Sequence, residues 1–317
     1  MNPGTTEPRL RPASGVYAVI NDIGGLVSEI IQLLLVSVES GLVYGMVAVA
    51  LTIIYKTARV LNFAQGTLAS ASGFIAYWFY ANAGFPWVLA ALAALPTTFV
   101  LALIIERVAV RRLLRRGFFP IVVATLAVDE FFVNGIEIVF GADALVFPAP
   151  LTGVAFTFFG VQINKWSIVI AGTATVLLGA VSLIIRSNLG LAMRAFADDQ
   201  DAARLMGISD ATVSRATWTL SITVGGVIGI VLAPILFLQT GYMANTFVLA
   251  LAAAVLGGFN SIGGAVLGGL LIGGVDVFAI RYAPGAIQAS LPLAAVLLIL
   301  LLKPSGLFTR TKSAERV

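Results

Sequence analysis

Residues 186–215 read RSNLGLAMRAFADDQDAARLMGISDATVSR, the one long stretch of mixed charge in an otherwise apolar chain. It carries Arg186, Arg194, Arg204 and Arg215 among Asp198, Asp199, Asp201 and Asp210. Upstream, residues 166–185 hold no charge, and downstream none appears over residues 216–275. An uncharged apolar run of that length reads as membrane, so the charged stretch is a loop between spans. Within it, residues 198–206 have helical spacing, with Ala202, Leu205 and Met206 apolar, acids early, an arginine late and Gly207 placed to end the helix. The expectation is a short amphipathic helix outside the bilayer, available to a partner.

Composition agrees with that reading. The 317 residues are 59% hydrophobic and 11% charged, with a mean hydropathy of +1.02, where soluble domains carry about a quarter charged residues. A barrel would show alternating segments of roughly ten residues, whereas these apolar runs are far longer. The fold class is therefore an all-α integral membrane protein: a polytopic helical bundle of about eight to nine spans, with broken helices and an expected inverted repeat. A formal charge of +4 does not imply a nucleic-acid partner, because the basic residues sit in loops where the positive-inside rule places them. Cys and His are both absent, which removes Cys/His metal sites, thiol nucleophiles and Ser-His triads together. No Walker motif is present either.

The chain divides into a polar N-terminal tail (1–29), a transmembrane domain (30–308) that includes the loop 186–215, and a C-terminal tail (309–317). Residues 1–15, MNPGTTEPRLRPASG, read as disordered. The first span, 30–55, has Gly41 and Gly45 on one small-residue face. Next, VLNFAQG, residues 60–66, sets Asn62 and Gln65 as a polar break at membrane depth, which survives only against protein or a water-filled cavity. Arg107, Arg111, Arg112, Arg115 and Arg116 form the densest basic cluster and mark the cytoplasmic side. Two crossings, 118–140 and 166–185, then return the loop 186–215 to that same side. Gly225 and Gly229 form a second small-residue face on the span 216–237. Residues 257–264, GGFNSIGG, break the segment 248–280, as a re-entrant turn or between two crossings. Its glycines suit close helix packing; a phosphate cradle would need a P-loop's Lys-Ser/Thr ending. Two polar, glycine-bearing breaks, one in each half, point to a midplane path and an inverted repeat.

Glu39, Asp129, Glu130, Glu137 and Asp276 lie in or near apolar spans, where an ionisable group is costly and suggests function. The plainer reading places them at span ends or facing a cavity. Asn62 and Gln65 either line a translocation path or cap a half-helix, and Asn260 and Ser261 of the second break are read as lining the path.

Residues 201–207 read as D-A-A-x-x-x-G and resemble the EAA loop by which permease subunits of bacterial ABC importers dock their ATPases, with Asp201 in place of Glu. The surrounding SNLGLAMRAFADDQDAARLMGI, the early RVLNFAQGTLASASGFIAY and the late AAAVLGGFNSIGGAVLGGLLIGGVD with KPSGLF resemble the branched-chain amino acid ABC permease family over most of residues 32–308. The usual I-x-L-P after the glycine is missing, and Thr217 and Trp218 occupy that region.

The resemblance implies a multi-pass permease of the bacterial cytoplasmic membrane that takes up a small solute, branched-chain amino acids or a related amino or organic acid. It implies as partners a second homologous permease, two cytoplasmic ABC ATPases and an extracytoplasmic substrate-binding protein. No cofactor is expected on this chain; ATP and Mg would belong to the ATPases. Asp201, Ala202, Ala203 and Gly207, with Arg194 and Arg204, would make the coupling contact, and Asn62 and Gln65 would lie by the path. The alternative is a self-sufficient secondary transporter or channel, for which Asp129 and Glu130 would be the candidate coupling groups.

Overall fold

The computed structural model of the chain describes residues 14–114, 116–158, 160–303 and 306–308. The tail readings for 1–13 and 309–317, and Arg115 of the basic cluster, lie outside the described residues. Among the described residues, twelve α-helices and one hairpin follow in order: α1 (Ser14–Ala58), α2 (Gln65–Ala81), α3 (Trp87–Ile105) with a π-helical turn (Glu106–Val110), α4 (Phe118–Phe140), β1 (Val154–Phe158), β2 (Val161–Asn164), α5 (Lys165–Arg186), α6 (Asn188–Asp198), α7 (Gln200–Leu205), α8 (Asp210–Leu236), α9 (Ala244–Gly257), α10 (Ile262–Tyr282), α11 (Gly285–Gln288) and α12 (Ser290–Leu302). Seven of the described segments are long and apolar enough to cross a membrane: Gly25–Ala58, Trp87–Val110, Phe118–Phe140, Lys165–Arg186, Asp210–Leu236, Ile262–Tyr282 and Gly285–Leu302. Two more, α2 with 17 residues and α9 with 14, are shorter. At about 1.5 Å per residue α9 reaches about 21 Å, short of the roughly 30 Å hydrocarbon core.

One boundary moves. Residues 14–29 are helical and continue into the first span, so the polar tail does not extend to residue 29. The reason is legible in spacing: Val16, Ile20, Ile23, Val27, Ile30 and Leu34 recur every three or four residues, a helical stripe that the early polar residues obscure.

The two short helices explain the broken segments. After α1 ends, residues 59–64 turn back into the protein, with Val60, Asn62 and Ala64 buried, and α2 starts at depth with Gln65 bonded to α8. After α8 ends, residues 237–243 do the same from the other side: Leu238 and Met243 are buried, the Met243 amide donates to the Ser70 hydroxyl at 3.3 Å, and α9 begins there. The first turns of α2 and α9 touch, since a Cβ on Gly66 would lie 2.9 Å from Phe247. The helices then run in opposite directions. Element for element, α1–α2–α3 is matched upside down by α8–α9–α10. The second-half counterpart of the break at 60–66 is therefore 237–243, whereas GGFNSIGG is the tight turn joining α9 to α10.

Glycines set the helix approaches. Helices α1 and α10 run antiparallel with Gly41 against Gly269 and Leu270, Gly45 against Val266, and Gly273 against Gly41, so that a Cβ at any of these would meet the facing backbone. A Cβ on Gly229 would overlap the Ala69 carbonyl of α2, and one on Gly257 would overlap Gly264. In the bilayer, where helices gain little from apolar burial against each other, such backbone approach is the main source of association.

The ends of the bundle differ. Arg111, Arg112, Arg204 and residues 207–211 line one cleft, and Arg59 reaches Asn260 at 3.0 Å beside the α9–α10 turn. The two charged loops and this turn thus share an end, the cytoplasmic one by charge. At the opposite end Trp87, Trp166 and Phe147 pack ring against ring, an aromatic layer suited to the interface. There the hairpin braces the protruding start of α1: Gln32 exchanges two hydrogen bonds with the Gln162 backbone, at 3.1 and 2.9 Å.

Candidate functional site

Of the stretch expected as a short helix, 198–206, residues 200–205 form α7, and a second helix that the sequence reading did not expect, α6 (Asn188–Asp198), precedes it across Asp199. Asp199 is extended (φ −151, ψ 111), and its carboxylate accepts from the Asp201 and Ala202 amides, both at 2.9 Å, capping α7. An Asp that can cap competes with helix continuation, which is why α6 and α7 are separate helices. Gly207 ends α7 with φ +84, and a Cβ added to it would meet nothing within 4 Å. Its left-handed backbone, and not crowding, is what suits glycine there.

Arg204 holds the loop's shape. Its guanidinium donates to Asp201 at 2.7 Å and to Asp210 at 2.8 and 3.2 Å, joining α7 to the first turn of α8. The Asp210 hydrogen bond, then that charge and Asp201, raise the Arg204 pKa above its already high value, so it stays cationic. Of the residues expected to make contact, Asp201 and Ala202 are exposed, Gly207 is exposed, and Ala203 is buried against the bundle. Arg194 lies elsewhere in the loop: it donates to the Ile185 carbonyl and caps the end of α5. Missing from the contact residues expected from sequence is the tip itself. Leu205 and Met206 are 90% and 82% exposed, an apolar pair on a charged face; their place on the expected amphipathic helix is the signal that could have found them.

Beneath the loop lies a second residue that sequence reasoning missed, Glu106. It is fully buried at the π-helical turn, paired with Arg111, whose Nε donates at 3.0 Å, and it accepts from Ser214 of α8 at 2.8 Å. Hydrogen bonding to Glu106 raises the Arg111 pKa. An acid at the end of a long apolar run, five residues before an arginine, is the visible hint. Arg111, Arg112 and Arg204 line a cleft of about 580 Å³ with Gly207 and Ser209.

The residues read as path-lining sit differently. Asn62 and Gln65 are 1% and 0% exposed. The Asn62 amide donates to Gln65 Oε1 at 2.9 Å, Asn62 Oδ1 accepts from the Ala64 amide, and Gln65 Nε2 donates to the Ser221 carbonyl at 3.1 Å. They brace the turn that precedes α2 and tie α2 to α8. Asn260 accepts from Arg59 and Ser261 caps α10 through the Gly264 amide at 2.9 Å, both at the cytoplasmic turn. Of the acids, Glu39 meets Ser167, Asp129 meets Thr67, Glu130 meets Asn134 and Asp276 meets Tyr44; none of these four pairs with a cation among the described residues.

A family model described as the permease component of branched-chain amino acid transport systems matches residues 33–302. The chain belongs to this family. Relatives include the high-affinity branched-chain amino acid transport permease BraD of Pseudomonas aeruginosa, 30% identical over 88% of this chain and 96% of that protein. LivH of Escherichia coli K12, likewise a high-affinity branched-chain amino acid transport permease, is 26% identical over 86% and 93%. A probable branched-chain permease of Methanocaldococcus jannaschii is 28% identical over 74% and 78%. As a branched-chain permease, the chain is the membrane-spanning component of an ABC importer, a multi-pass protein of the bacterial inner membrane and a transport subunit by family. Permeases of this family work with ATPase and binding-protein partners.

Proposed function

We propose that this permease imports branched-chain amino acids or a closely related small amino acid, and that loop 186–215 transmits ATP-driven movement to the bundle. Its partners in this reading are a second, homologous permease, two cytoplasmic ATPases that bind ATP and Mg, and an extracytoplasmic binding protein. The observation that carries the proposal is the exposed Leu205–Met206 pair at a loop tip fixed by Arg204, on the cytoplasmic face. An apolar anchor ringed by polar groups is the arrangement of a docking centre. From that tip α8 begins at once, so a push on α7 reaches the core through one continuous helix.

Asp201, Ala202 and Gly207 would shape this contact, with Ala203 as its footing. The test replaces Leu205 and Met206 together with Asp: ATP-driven leucine uptake should fall by at least about a hundredfold, as loss of two hot-spot side chains implies, while the chain still reaches the membrane. Unchanged uptake sinks the docking role. In a self-sufficient transporter the same variant would transport normally, and uptake would survive ATP depletion.

A further inference from the structure

At the outer end, α1, the hairpin and the start of α5 border an open cavity of about 300 Å³, at the small end of the roughly 300–1,000 Å³ range of ligand sites. Glu39 is its one charged lining residue among the described residues. The carboxylate accepts from Ser167 at 2.7 Å through Oε2, and no cation pairs with it among the described residues. The Gln32–Gln162 hydrogen bonds run along the cavity lining. Leu35, Val38 and Ile168 supply an apolar wall, and Asn164 adds an amide near the mouth. A carboxylate kept on a membrane span without a cation is costly unless something positive meets it. A primary ammonium fits that need: it carries three donors for Glu39 and its polar neighbours, while a branched apolar side chain would lie against the wall.

We propose that this cavity is an entry subsite for an ammonium-bearing solute, an α-amino acid with an apolar side chain, with Glu39 as the ion partner. It rests on the reading of the chain as an amino acid importer and sharpens it: solutes lacking an ammonium group would not be held here.

The absence of cysteine from the chain permits a direct test. An Ile168→Cys chain, expressed with its partner subunits in native membrane vesicles, is labelled with a thiol reagent in the presence of L-leucine or of 4-methylpentanoate, which lacks the ammonium. Leucine should slow labelling and 4-methylpentanoate should not. Adding Glu39→Gln should raise the leucine concentration for half-protection about tenfold or more, the loss expected for a charge-assisted contact, and Glu39→Asp should restore most of it. Equal labelling under all conditions, or protection that Glu39→Gln leaves intact, overturns the subsite. Leucine uptake in the same vesicles reports on the import reading separately: uptake without protection removes the subsite alone, and protection without ATP-driven uptake removes the import reading alone.

Discussion

Two glycines of this chain matter for opposite reasons. Gly207 has open space around it but a left-handed φ of +84, whereas Gly229 has an ordinary helical backbone and no space, because Ala69 of α2 presses against it. Gly207→Ala should cost about 1–2 kcal/mol locally through backbone strain, and Gly207→Val, β-branched and strained at least as much, should abolish uptake while binding-protein affinity stays intact; unchanged uptake would count against the docking role. Gly229→Ala should instead lower the melting temperature of the detergent-purified chain by overpacking, a cost of about 1–3 kcal/mol; an unchanged melt would mean that α2 and α8 give way there. Both glycines stand out in the sequence, Gly207 after a charged helix and Gly229 four residues from Gly225. Asn62 and Gln65 are less legible: a polar pair in an apolar run signals a broken helix, but only the fold shows that their polar atoms are spent on each other, on Ser221 and on the backbone.

At the scale of elements, the segments that can be read from sequence are those with one strong pattern. The long apolar runs read at 118–140 and 166–185 become α4 and α5 within a residue of the expected limits, and the run at 216–237 becomes α8, which starts earlier, at Asp210. The misread ones involve a chain that reverses inside the membrane. Residues 237–243 hold Gln239, Thr240 and Gly241, enough to end the span 216–237, but nothing in composition turns the chain back into the protein there; burial of Leu238 and the Ser70 bond to Met243 decide their place. Glu106 belongs at this scale because it joins three elements, the π-helical turn, Arg111 beyond it and Ser214 of α8. Glu106→Ala deletes the hydrogen bonds to Arg111 and Ser214 and leaves Ser214 facing a void, while Arg111 can turn to solvent, so it should reduce the melting temperature. Glu106→Gln, which can still bond to Ser214, should lose less. Equal loss in both variants would assign the whole effect to the charge.

For the whole molecule, the sidedness follows from where the charges gather and which loops share an end. It predicts that a membrane-impermeant maleimide labels Phe156→Cys in intact spheroplasts and Met206→Cys only after lysis; the reverse pattern would turn the bundle over. The proposed docking face and the proposed entry subsite then lie at opposite ends of the bundle, with α8 running from the Arg204 clamp toward the outer aromatic layer. The measurement that tests ATP-coupled import through the 186–215 loop most directly is gentle purification of the tagged chain from its own membrane, with the Leu205→Asp, Met206→Asp chain alongside, followed by an assay of ATP hydrolysis and of leucine uptake in liposomes. The native chain should bring two ATPases and a second permease and move leucine only with ATP, and the variant should come without the ATPases. A chain that arrives alone and carries leucine into liposomes without ATP would contradict that coupling.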